Sequence, residues 1–120
     1  MSRKPKKFSA KGWLSADAHG NEKSFIAVGS SLITSKSFQA LSPGARAVYF
    51  AMANECKGQR DFAFPQAVAT KKYGIAARSL WRYVEELTAG GWIAAQSGAN
   101  VRQPNLYSFS FAWKGKENAE

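Results

Sequence analysis

The stretch Lys71-Lys72-Tyr73-Gly74-Ile75-Ala76-Ala77-Arg78-Ser79-Leu80, continued by Glu86-Leu87 and Gly90-Gly91-Trp92-Ile93, decides how this sequence folds. Glycine takes the left-handed backbone of a tight turn without a steric penalty, so a helix arriving from upstream ends at Gly74. Beyond it, Leu80, Val84 and Leu87 recur on one helical face with Tyr83 at its margin, which predicts a helix over 77–89. Gly90 and Gly91 stop that helix. Ile75, between the two helices, is expected to plug the angle they make. Ala76 stands at the cap position, where Ser or Thr is commoner; an alanine there typically costs ~1 kcal/mol, with Ser79 in the first turn as a candidate compensator.

Upstream, Pro65 opens the earlier helix, with Ala67, Val68 and Tyr73 facing inward. Phe62 and Phe64 alternate in a very short strand over 61–64. A stronger helix precedes it. Ser42 can cap, Pro43 suits a first helical position that needs no amide hydrogen, and Ala45, Val48, Tyr49, Met52 and Ala53 form an apolar stripe ending before Gly58. Phe25, Ile26 and Val28 read as an extended segment packed on the core, and 30–38 as a short helix with Leu32 and Ile33 inward.

Downstream, 92–96 and 106–113 read as two strands of a hairpin. In the second, Tyr107, Phe109, Phe111 and Trp113 alternate with Ser108, Ser110 and Ala112. Ser97, Gly98, Asn100, Pro104 and Asn105 supply a polar tip. Aromatics on such a strand can stack single-stranded nucleic acid, but a small sheet must also cover its helices, so core packing is expected. Residues 1–23 read as a basic flexible arm, 24–113 as one folded domain of the α+β class, and 114–120 as a polar tail.

The order helix, short strand, helix, turn, helix, hairpin resembles the winged helix-turn-helix plan. The glycine turn followed by "E-L" and "G-W-I" is similar to bacterial winged-helix regulators. The stretch from Phe25 to Trp113 also resembles the N-terminal domains of plasmid and phage replication initiators, through Leu41-Ser42-Pro43 with Ala45-Arg46, and Phe62-Ala63-Phe64-Pro65 before the second helix. The resemblance implies a three-helix core with a C-terminal hairpin wing and double-stranded DNA as partner. The process implied is replication initiation or transcriptional regulation, alone, as a homodimer or within a larger complex.

Composition agrees with that partner. Seventeen Lys and Arg against eight Asp and Glu give the 120-residue chain a net charge of +9, which attracts polyanions. If Leu80, Val84 and Leu87 face inward, then Ala77, Arg78, Trp81, Arg82 and Glu85 face outward, with Ser79 beside them. Arg78 and Arg82 lie one turn apart, and each can bridge guanine O6 and N7; the bland alternative is a solvated ladder with Glu85 and Glu86. Trp81 is either an outward contact or, with the register shifted by one, a core residue. Lys71 and Lys72 favour the helix dipole and can also reach phosphates. Arg102 and Gln103 stand at the hairpin tip, where a wing contact or plain solubility explains them equally. Arg3, Lys4, Lys6, Lys7 and Lys11 add salt-sensitive attraction.

An enzyme is not expected. His19 is the sole histidine, Cys56 the sole cysteine, and no phosphate-binding loop or nucleophile elbow occurs. No metal or cofactor is implied. Apolar runs fall far short of a membrane span, and no apolar segment follows the basic N-terminus, so a cytoplasmic protein without membrane contact is expected. A protein-interaction module using the same surface, without DNA readout, is the rival reading.

Overall fold

A computed structural model describes residues 8–96 and 106–118. Its centre is three helices: α3 (Pro43–Glu55), α4 (Gln66–Tyr73) and α5 (Ala77–Ala89), numbered after two single-turn helices, α1 (Ser30–Ile33) and α2 (Lys36–Gln39). Ser42 caps α3 as expected, its hydroxyl accepting from the Ala45 amide at 3.2 Å, with Pro43 in the first turn. Ala45, Val48, Ala51 and Met52 are the buried face of α3, and Leu80, Val84 and Leu87 that of α5. Burying an aliphatic side chain of this size contributes roughly 1.5–3 kcal/mol, so the α3–α5 seam anchors the domain.

Gly74 ends α4 in the left-handed region (φ 69°), and the amides of Gly74 and Ile75 return to the carbonyls of Thr70 and Ala69 at 3.1 and 3.0 Å. Ile75 is half-buried against the core. The buried residue of α4 is Ala69, while Ala67 is exposed. Val68 and Tyr73 pack half-buried against the core as expected, so Ala67 alone departs from the expected inward face and Ala69 takes its place.

After a two-stranded hairpin of β1 (Phe8–Ser9) and β2 (Asn21–Glu22), the main sheet is antiparallel with order β3-β5-β4, from β3 (Asp61–Ala63), β4 (Ile93–Ala95) and β5 (Leu106–Phe109). Phe62 faces Tyr107, and Ile93 faces Phe109. Phe62, Phe64, Trp92, Ile93 and Tyr107 are buried, so this sheet covers the helices.

The expected strand over 106–113 is shorter. β5 stops at Phe109, the Ser110 hydroxyl accepts from the Ala112 amide at 3.2 Å, and α6 (Ala112–Asn118) follows where a polar tail was expected. Trp113 is still buried, but from a helix: its ring stacks on Trp92 at 4.2 Å and 7°. Gly91 makes room for this. Its φ is 82°, and a Cβ there would lie 2.8 Å from Ala112 Cβ and 2.9 Å from the Trp113 amide nitrogen.

Three N-terminal expectations change as well. Within the expected arm, 8–22 folds as the β1–β2 hairpin, with Gly20 (φ 70°) in its turn and the Asp17 carboxylate accepting from the His19 amide at 2.8 Å. Trp13 and Leu14 stand exposed on its 3-10 turn, at 80% and 72%. The expected helix over 30–38 breaks in two because buried Ser35 turns its hydroxyl to the Phe38 amide (3.1 Å) and caps α2. Phe38 is then the buried residue, whereas Ile33 and Phe25 are exposed. No helix among the described residues is long and apolar enough to cross a membrane.

Candidate nucleic-acid interface

α5 is fixed from the inside and open on the outside. Leu80, Val84 and Leu87 are buried, and Glu86 holds the helix to α3 by accepting from the Ser42 amide and hydroxyl at 2.6 and 2.7 Å. Tyr83 crosses α3 at Gly44, where a Cβ would lie 2.1 Å from the ring. These constraints turn Arg78, Trp81, Arg82 and Glu85 outward. Trp81 is 41% exposed and so belongs to the outer face. Ala77 and Ser79 are half-buried at the flanks of the first turn. No side chain caps the helix at Ala76, and no acid stands in its first turn. That leaves the positive end of the helix dipole uncompensated there.

The two arginines differ in their surroundings. Arg78 is exposed and makes no hydrogen bond or ion pair among the described residues. The Arg82 guanidinium lies 5.2 Å over the Tyr83 ring and donates a long 3.4 Å bond to its hydroxyl. Neither is matched to a carboxylate: Glu86 is spent on Ser42, and the ion pair found among the described residues is Lys72–Glu55.

At the end of α4, Lys71 is exposed and Lys72 is engaged. Lys72 Nζ lies 2.9 Å from Glu55, and the same Oε2 accepts the Tyr73 hydroxyl at 2.7 Å. Asn54 Nδ2 donates to that hydroxyl at 2.9 Å. The Tyr73 hydrogen bond, then Lys72, hold the Glu55 carboxyl below its ordinary range. The Glu55 carboxylate in turn raises Lys72. Sequence reading missed this cluster, because Asn54 and Glu55 come from the last turn of α3 and only the fold brings them to α4. Arg102 and Gln103 lie outside the described residues, as do Arg3, Lys4, Lys6 and Lys7; Lys11 is exposed in the hairpin.

Other reactive groups are occupied structurally. The Cys56 thiol donates to the Ala53 carbonyl at 3.1 Å, and burial, with the Cys56 thiol alongside, pushes Tyr49 up to about 12. Among the described residues no group of His, Cys, Asp and Glu is placed to hold a metal ion. Comparison with known protein families, with curated proteins and with solved structures finds no match to this chain.

Proposed function

We propose that this chain is a winged helix-turn-helix domain that binds double-stranded DNA, with α5 as its reading helix, in replication initiation or transcriptional regulation. The observation that carries the reading is the outer stripe of α5: Arg78, Trp81 and Arg82 exposed on a helix held rigidly from behind, with neither arginine paired to an acid among the described residues. The order α3-β3-α4-turn-α5-β4-β5 and the net charge of +9 support it. Rigid placement matters because a bidentate guanidinium–guanine contact requires both hydrogen bonds at once. Lys71 and the dipole end of α5 would hold phosphates, which fixes register without reading sequence.

Fluorescence anisotropy with a random duplex of about 25 base pairs (roughly two and a half turns) tests the class. Binding is expected near micromolar and should fall with salt at a log–log slope of about −0.9 per phosphate neutralised. On a selected site, Arg78→Ala should cost ~1–3 kcal/mol of specific affinity and much less on random sequence. Equal losses on both would remove base readout. No binding at low salt would remove the DNA reading and leave exposed Trp81 as the centre of a protein interface.

A further inference from the structure

At the other end of α5, a second exposed aromatic is flanked by cations. Phe111 follows the end of β5 and is 57% exposed. The Arg60 guanidinium lies over its ring at 4.8 Å from the centroid and Lys114 Nζ over it at 5.2 Å, so both cations contact the ring while more than half of the residue stays open to solvent. Arg60 enters this arrangement from the start of β3, and Lys114 from the first turn of α6, the turn that follows Phe111, so two separated segments meet there. Arg60 Nε donates to the Phe109 carbonyl at 2.9 Å, which fixes the guanidinium plane and leaves its two terminal nitrogens without a partner among the described residues. The Lys114 amide donates to the Phe111 carbonyl at 3.0 Å and holds that residue's backbone at the start of α6. Neither cation is paired with a carboxylate among the described residues. Asp61, beside Arg60, accepts from the Ser108 hydroxyl at 2.7 Å.

We propose that Phe111, with Arg60 and Lys114, is a stacking platform for an unpaired base of single-stranded DNA, its flanking phosphates taken by the two cations. Single-strand binders combine these parts: an aromatic face that any base can cover and a positive rim that follows the backbone. A duplex keeps its bases stacked on one another and offers such a ring nothing to cover, which selects the unpaired strand. The platform is separate from the outer stripe near Arg78. Ser110 and Trp113 donate their amides to the carbonyls of Trp92 and Gly91, just beyond the end of α5. Arg78 lies about 16 Å up the helix axis from Ala89 at 1.5 Å per residue. The proposal extends the DNA-binding reading, and the two respond to different probes.

The test is anisotropy of the full chain with a labelled oligothymidylate of about 12 nucleotides, within the site sizes of single-strand binders, beside the duplex. Phe111→Leu should weaken oligothymidylate binding about tenfold and leave duplex binding unchanged. The pair Arg78→Ala and Arg82→Ala should do the reverse. Unchanged oligothymidylate affinity in Phe111→Leu overturns the platform, as does no binding by the wild-type chain at low salt. Displacement by polyglutamate as effective as by unlabelled oligothymidylate also overturns it, since an acidic protein segment would then serve equally. Photocrosslinking of a bromodeoxyuridine oligomer to the wild-type chain needs no variant: an adduct at Phe111 or Trp113 supports the platform, and adducts confined to α5 exclude it.

Discussion

The consecutive helices α4 and α5 both carry two cations, and they use them in opposite ways. α4 fully buries only Ala69, with Val68 and Tyr73 half-buried against the core, and adds polar contacts at its end, where Lys72 and Tyr73 share the Glu55 carboxylate. α5 buries Leu80, Val84 and Leu87, and its arginines make no ion pair among the described residues. A helix held by an apolar seam needs nothing from its charges, which are then available to a ligand. A helix with a shallow seam uses its charges to stay in place. Charge counted along the sequence treats the four cations alike; packing separates them.

The largest expected effect removes the seam. Leu80→Ala deletes a fully buried side chain between α5 and α3 and should cost about 2–5 kcal/mol of stability. Denaturant unfolding measures it. A loss of about 0.5 kcal/mol or less, the level of an ordinary surface substitution, would show that α5 is not held from inside, and the contrast with α4 would collapse.

Parts of this arrangement are legible in the sequence, and the reason is physical. α3 and α5 each carry several large apolar residues at helical spacing, a capping serine or a terminating glycine, and their bounds follow from these local signals. Trp113 shows the limit. Its spacing from Tyr107 and Phe109 fits a strand, yet the chain turns at Ser110, whose hydroxyl takes the Ala112 amide, and α6 then lays the indole face to face on Trp92. Burial was readable there; the route was not. The outward stripe of α5 followed from its seam, so Arg78, Trp81 and Arg82 could be placed, and Trp81 is now fixed on the outer side by its exposure. Glu55 could not have been paired with Lys72, because two turns and a strand separate them in the chain. Gly44 likewise sits inside a helix with no turn to explain it, and its reason is Tyr83 from α5.

A smaller effect sharpens the comparison within α4 itself. If the chain binds duplex as proposed, Lys71→Ala should reduce the magnitude of the salt slope by about 0.9, the share of one phosphate. Lys72→Ala should reduce it less, because that ammonium is held by Glu55 at 2.9 Å. Glu55→Gln removes the competing carboxylate and should steepen the slope and tighten binding. Equal effects of the two lysine variants, with no change in Glu55→Gln, would place the Lys72–Glu55 pair outside DNA binding.

The smallest effect follows the proton. The Glu55 carboxyl is held below its ordinary value of 4.5, first by the Tyr73 hydrogen bond and then by Lys72. A depressed carboxyl pKa means that the folded state favours the ionised form, so its contribution to stability is complete above 4.5. As pH falls below that value the unfolded chain takes up the proton first, and the contribution is lost as pH passes through the lower folded pKa. The wild-type chain should therefore lose more stability than Glu55→Gln between neutral pH and this acid range, with the two curves converging in form once Glu55 is protonated. Parallel curves across the whole range would mean that the cluster at the end of α4 does not hold that helix, and that Lys72 is as available to a ligand as the arginines of α5.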